Sequence, residues 1–356
     1  MSSHHAAPPA HPYSRPATPH PQHQIGWVGL GNMGKSMALN LARNMASRQP
    51  PLPPLLVYNR TASKSQALVD EAKDMAKVCE DLVEMGQKCD LVFVSLSDDK
   101  AAKDVFAKLL EGEEKKNGKP GHREASVGKT IFVDTSTLYP ETTGELERQI
   151  SAVPNRYFIA APAFGPPPMA HAGTLVFAIA GPHNAKKFVS QFLVPGVGRK
   201  VMDFGSNPER AASFKLIGNS LILSTIEMLS ECMTLAEKTG VGADQFFDFV
   251  KEFYPAPSAI GYAKKILDQS FGSAEGFSLD GGIKDASHIR RLGASVDCPL
   301  PIVDVAHQHL IAARANAPPG QKLDWSSLVA GQRLASGLPA FGKREGLQRD
   351  GGRRDE

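Results

Sequence analysis

Ile25-Gly26-Trp27-Val28-Gly29-Leu30-Gly31-Asn32-Met33-Gly34 is a short apolar run that breaks into Gly-x-Gly-x-x-Gly. A helix-period segment follows, with Met37, Leu39 and Leu41 among its apolar positions. Each glycine has a physical task. Gly29 permits a tight turn, and Gly31 lets the backbone approach a pyrophosphate. Gly34 lets the helix pack on the strand, so that N–H groups at the helix start face the anion. Strand before and helix after turn a weak motif into a dinucleotide site, with Gly29, Leu30, Gly31, Asn32, Met33 and Gly34 as its candidate contacts.

Outward from this segment the chain alternates. Ile25–Leu30, Leu55–Tyr58, Leu91–Ser95, Thr130–Asp134, Tyr157–Ala160 and Thr174–Ala180 read as strands. Helical stretches such as Ser63–Met75 and Lys100–Leu110 separate several of them, which predicts a parallel sheet with right-handed crossovers. Arg48–Pro54 and Glu111–Lys129 read as polar insertions. After about Gly205 the strand signal stops, and Glu209 to Thr239 is one long helical segment interrupted only by Gly218. The expected fold class is α/β, with an all-helical second half joined to the first by that helix.

With 356 residues, the chain is long enough for two domains at about 100–200 residues each. A net charge of +3 and no Lys/Arg stripe argue against nucleic acid as a partner. No apolar run reaches the roughly 18 residues that a membrane span needs. Cys79, Cys89, Cys232 and Cys298 lack paired metal spacing and read as reduced thiols. Residues 1–24 are rich in Pro and His and predict a disordered tail, with weak metal chelation as a minor possibility. They lack a signal-peptide core and carry one Arg, Arg15, so a cytoplasmic protein is expected. Residues 341–356 read as a charged tail.

Chemistry-bearing residues cluster where parallel strands end. Val57-Tyr58-Asn59-Arg60-Thr61 has no carboxylate for a ribose 2′-OH, whereas Arg60 suits a 2′-phosphate. Asn59, Arg60 and Thr61 are therefore expected to hold NADP(H), with NAD(H) the less favoured cofactor and an exposed strand-end Arg the plain alternative. Leu96 and Ser97, together with Ser136 and Thr137 after Asp134, stand at the ligand-holding edge of such a sheet. Ser136 and Thr137 serve equally well as caps for a helix near Glu141. Lys215 and Asn219 are four residues apart on one face of a strongly apolar helix. A partly buried lysine there would have its ammonium disfavoured and could act as general acid or base. Lys284-Asp285, after Asp280-Gly281-Gly282, could close over the cofactor, although spacing alone favours a surface ion pair.

Taken together and in order, these segments resemble the β-hydroxyacid dehydrogenase family, which includes 3-hydroxyisobutyrate dehydrogenase and the glyoxylate/succinic semialdehyde reductases. The resemblance covers roughly residues 25–335 and rests on Gly-Leu-Gly-Asn-Met-Gly (29–34), Asn-Arg-Thr (59–61), Asp-Thr-Ser-Thr (134–137), Ala-Gly-Thr-Leu (172–175), Lys215/Asn219 and Lys284-Asp285. It implies an NADP-binding Rossmann domain over 25–205 and a helical substrate and oligomerisation domain over 206–340. It also implies a homo-oligomer, a dimer or a tetramer. Lys215 matches the catalytic lysine, Asn219 its supporting asparagine, Ser136 a substrate-contacting serine, and Lys284 a lysine near the nicotinamide.

One segment departs from the family. Relatives usually carry Asp-Ala-Pro-Val-Ser-Gly-Gly, where this chain has Ala160-Ala161-Pro162-Ala163-Phe164-Gly165-Pro166-Pro167-Pro168. Phe164 replaces a hydroxyl, Pro166 removes an N–H, and Gly165 keeps its amide. Phe164 and Gly165 are thus candidate substrate contacts for a carbonyl or hydroxyl compound bulkier or less anionic than a small hydroxyacid. The expected chemistry is NADP(H)-dependent hydride transfer with Lys215 as acid/base and no metal. An imine reductase is the second reading, although imine-reducing relatives generally lack a lysine at the position of Lys215. A non-catalytic nucleotide-binding module is the third, and the Lys215/Asn219 pair argues against it.

Overall fold

The computed structural model describes residues 23–117, 129–272 and 276–342. The two expected tails lie almost wholly outside these residues, as does the 118–128 part of the second insertion.

Strands β1 (Ile25–Val28), β2 (Leu55–Tyr58), β3 (Ala76–Val78), β4 (Leu91–Val94), β5 (Thr130–Asp134) and β6 (Arg156–Ala160) form one parallel sheet in the order β3-β2-β1-β4-β5-β6. Helices α1 (Gly34–Ala46), α2 (Ala62–Ala72), α3 (Leu82–Lys88), α4 (Asp99–Asn117) and α5 (Pro140–Ser151) alternate with them. Every residue of β1, β4 and β5 is buried, as continuous apolar runs covered on both faces require. Trp27 stacks on Phe93 in the adjacent strand, with ring centroids 5.4 Å apart. The chain moves outward through β2 and β3, then returns to β4 on the other side of β1. Ligands bind at the carboxyl ends of strands beside such a reversal. The stretch Glu111–Asn117, read above as insertion, instead continues α4.

Thr174–Ala180 does not extend this sheet. Its strand, β8 (Leu175–Ile179), lies in a separate three-stranded sheet, antiparallel to β7 (Ala163–Phe164) and parallel to β9 (Gly198–Asp203). A parallel return needs a crossover of about a dozen residues or more, usually a helix. The proline-rich link provides only the five-residue α6 (Pro167–His171). Helix α7 (His183–Leu193) then connects β8 to β9.

The long helix α8 spans Pro208–Thr239, 32 residues or roughly 48 Å. The Asn207 side chain accepts the Glu209 N–H at its start, and Gly240 ends it in the left-handed region with φ 79°. Gly218 does not interrupt it. Helices α9 (Ala243–Phe253), α10 (Pro257–Asp268), α11 (Leu279–Ala294), α12 (Pro301–Ala315) and α13 (Val329–Ala335) complete the second half. Leu216, Leu223, Ile226, Leu310 and Trp325 lie in its buried core, and Tyr139 from the first half joins them. Among the described residues, no helix is long and apolar enough to cross a membrane.

Candidate active site

The glycine turn sits between three strands. Gly29 N–H donates to Tyr58 O at 3.0 Å, and the buried Trp27 indole donates to Gly29 O, also at 3.0 Å. Leu30 N–H donates to Asn59 Oδ1 at 2.9 Å, while Asn59 Nδ2 donates to Thr61 O. Asn59 is thereby committed to holding the turn. At Gly29, φ is +95° and an added Cβ would stand 2.0 Å from Ser95 O. A Cβ at Gly34 would stand 2.1 Å from Gly29 O, whereas one at Gly31 would meet nothing within 4 Å. Tight packing at the first and third glycines with open space at the second is the cradle a pyrophosphate needs, so the residues present fit a dinucleotide. Asn32, Arg60 and Thr61 are exposed beside it, and Met33 is half-buried.

At the ends of β4 and β5, Ser136 Oγ accepts the Leu96 N–H at 2.8 Å and pins the two turns together. Ser136 N–H donates to Asp134 Oδ1 at 3.2 Å. Burial pushes the Asp134 carboxyl up to about 6 despite the bonds from Ser136. Neither Ser136 nor Thr137 caps α5, which begins after Tyr139 with no side-chain cap. Ser97 is exposed and its hydroxyl donates to Asp98 at 2.6 Å.

Across from these turns, α8 presents Lys215 and Asn219 on one buried face. Lys215 Nζ donates to Asn219 Oδ1 at 3.1 Å, and Asn219 Nδ2 donates to Asp285 Oδ2 at 2.7 Å. Lys284 Nζ lies 3.0 Å from Asp285 Oδ1 and donates to Thr137 O at 2.5 Å. The sequence reading of Lys284-Asp285 as a surface pair is therefore corrected. Asp285 is fully buried, because α11 turns this residue inward against α8. Burial pushes the Lys215 ammonium down to about 8; the charge of Asp285 opposes that shift and Lys284 adds to it.

Phe164 completes the surroundings of the amine. Its ring centroid is 4.4 Å from Lys215 Nζ, and its edge meets Phe214 at a centroid distance of 5.6 Å. A Cβ at Gly218 would stand 2.4 Å from Phe164 Cε1, so the bare helix position makes room for this ring. Gly165 follows with φ +133° and is walled by Leu175 and Met169.

The structure thus brings Lys215, Asn219, Phe164, Lys284 and Thr137 into one network, and through it the Ser136 turn. Asn59, Arg60 and Thr61 stand apart at the end of β2. Sequence reasoning missed Asp285 as the buried hub between the two lysines. Its adjacency to Lys284 was the available signal. Among the described residues, no three His, Cys, Asp or Glu side chains converge as a metal site.

The sequence profile of the NAD binding domain of 6-phosphogluconate dehydrogenase matches residues 24–205, just over half of the chain. The NAD-binding profile of NADP-dependent 3-hydroxyisobutyrate dehydrogenase matches residues 210–330. The chain belongs to the β-hydroxyacid dehydrogenase family. The glyoxylate/succinic semialdehyde reductase 1 of Arabidopsis thaliana is 30% identical over 82% of this chain and 93% of its own length. The NADH-dependent oxidoreductase ucdB of Aspergillus ustus is 27% identical over 86% of this chain and 98% of its own length. In fold, the chain is similar to the 3-hydroxyisobutyrate dehydrogenase of Mycobacterium tuberculosis. That match has a TM-score of 0.70 at 20% identity and covers 88% of this chain and 99% of the other. As a member of this family the chain is an NAD(P)-dependent oxidoreductase.

Proposed function

We propose that this family member is an NADP(H)-dependent reductase or dehydrogenase of a carbonyl/hydroxyl pair, with Lys215 as its general acid and base. The observation that carries the reading is the buried Lys215 amine, poised near pH 8 and held by Asn219 and Asp285. When bound, the nicotinamide supplies or accepts the hydride. In reduction the Lys215 ammonium gives a proton to the carbonyl oxygen; in oxidation the neutral amine takes one from the hydroxyl. Asn219 aims Nζ, Asp285 fixes the Asn219 amide, and Ser136 keeps the Leu96 turn in register with β5.

The Phe164–Pro168 loop supports a bulkier or less anionic substrate. Three prolines contribute no N–H, and the Phe164 ring occupies the space beside Lys215, so a compact carboxylate finds few donors there. The test is NADPH oxidation at saturating cofactor across carbonyls from glyoxylate and succinic semialdehyde to aromatic and alicyclic ketones. Faster turnover of the bulky ketones supports the reading, and Phe164→Ser is expected to move the preference toward the small acids. A wild-type preference for glyoxylate overturns the substrate assignment, and no turnover of any carbonyl overturns the activity.

The NADP(H) preference rests on Arg60, exposed at the end of β2 with no carboxylate at that tip. A charge-assisted contact of about 1.5–3 kcal/mol sets a preference of roughly tenfold or more. Arg60→Ala is expected to raise the NADPH KM by that factor and leave the NADH KM alone. An unchanged ratio of the two would count against it. A homo-oligomer, dimer or tetramer, belongs to the same reading. It is supported by Ile217, Leu221, Met228 and Leu235, which stand exposed along α8 at helical spacing.

A further inference from the structure

Three cationic or protonatable side chains of α11, Lys284, His288 and Arg291, are spaced i, i+4 and i+7 and so share one helix face. Each reaches a different point in the first half of the chain. Lys284 Nζ donates to Thr137 O at 2.5 Å. His288 Nε2 lies 2.8 Å from Asp99 Oδ2. Arg291 donates to Glu141 Oε2 at 2.6 Å, and its guanidinium carbon stands 3.8 Å from the centre of the Tyr139 ring. The contacts converge on the turn between β5 and α5, the same turn in which Ser136 pins Leu96.

The three contacts are not equivalent. The Arg291–Glu141 pair is about 60% exposed on both sides, where an ion pair contributes little. The His288–Asp99 pair is only 16% and 23% exposed, and water screens it far less. Asp99 is also the branch point: its other oxygen, Oδ1, accepts the Tyr139 N–H at 2.8 Å. One carboxylate at the start of α4 thus holds both the turn and α11. That helix carries Asp285, which holds Asn219 and through it Lys215.

We propose that the His288–Asp99 pair is an interdomain latch that positions the Thr137–Tyr139 turn against α11, and so aligns Asp285 and Asn219 with Lys215. His288 and Asp99 are positioning residues in this account; neither touches the reacting atoms. Apolar contacts such as Tyr139 in the helical core hold the two halves together, and the His288–Asp99 pair adds a directional polar contact that fixes their register at this turn. The inference rests on the reading of Lys215 given above, but the latch itself can be tested without it.

The test compares His288→Ala, Asp99→Asn and the double variant in the full chain. Asp99→Asn keeps an oxygen for the Tyr139 N–H and removes only the charge facing His288. Backbone hydrogen exchange over residues 135–143 is the first readout, and NADPH-dependent turnover is the second. Each single variant is expected to speed exchange in that segment while leaving exchange in β1 and β4 unchanged. Each is also expected to lower kcat about 5–20-fold with little change in the KM for NADPH. The double variant should match the singles, since removing either partner already breaks the contact. Exchange unchanged in the 135–143 segment, or multiplicative losses of kcat in the double variant, would overturn the latch. Faster exchange throughout the chain would assign the pair to general stability and overturn it equally. The exchange readout does not involve Lys215, so localised faster exchange with unchanged kcat would retain the clamp and refute its link to Lys215.

Discussion

Lys215→Met is expected to lower turnover by about 10²–10⁴-fold, the usual contribution of a general acid or base, while NADPH affinity stays near that of the parent. Methionine keeps the length and apolar stem of the side chain, and Phe164 and Leu216 continue to pack. The pH dependence sharpens the test. Reduction needs the ammonium, so its rate should fall as pH rises through about 8; oxidation needs the amine and should rise through the same value. Both limbs should vanish in the variant. Stability should move the other way. Burial holds the folded-state value near 8 against an ordinary 10.5, so the unfolded chain binds the extra proton between those limits. Parent stability therefore rises with pH across that window, and at pH 7 the charged amine costs the fold on the order of 3 kcal/mol. Lys215→Met should recover part of this as a higher denaturation midpoint at pH 7, with Lys284 still paired to Asp285. Turnover within a few-fold of the parent would remove Lys215 from the chemistry and leave the cofactor reading intact.

What was legible in the sequence is what local pattern controls. The β1–glycine–α1 unit follows from an apolar strand, three glycines and a helix period, and the structure places it at the switch point of the sheet. The Lys215/Asn219 pair follows from four-residue spacing on an apolar helix, and the two side chains do meet. The second sheet was not legible. Strand β7 has only two residues, and β9 exposes Arg199 and Lys200 like a loop, so neither carries a strand signal of its own. Their pairing with β8 depends on contacts distant in sequence. Asp285 was misread for a related reason. Its burial is produced by α8 packing on α11, and a Lys-Asp dipeptide carries no trace of that. The place of Phe164 likewise depends on Gly218 in a different element, whose missing side chain makes sense only once the ring is seen to fill it.

Gly34→Ala carries the second large effect, and Gly31→Ala is its control. A methyl group at Gly34 would stand 2.1 Å from Gly29 O, a backbone atom that cannot rotate away. Gly29 has no freedom to yield. Its carbonyl already accepts the Trp27 indole at 3.0 Å, its φ is +95°, and its own Cβ position is 2.0 Å from Ser95 O. The turn is wedged between β1, α1 and β4, so the added methyl must displace α1 or the turn itself. Overpacking of this kind costs about 1–3 kcal/mol, and more where backbone has to move. Gly34→Ala should therefore both lower the thermal midpoint and weaken NADPH binding at least 100-fold, read by equilibrium titration of the purified chain. Gly31 differs because nothing stands within 4 Å of its Cβ position. Gly31→Ala should fold with an unchanged midpoint, yet lose NADPH affinity because the methyl occupies the space left for the pyrophosphate. If Gly31→Ala bound NADPH as well as the parent, the phosphates would have to lie elsewhere, and the glycine turn would be a packing device alone.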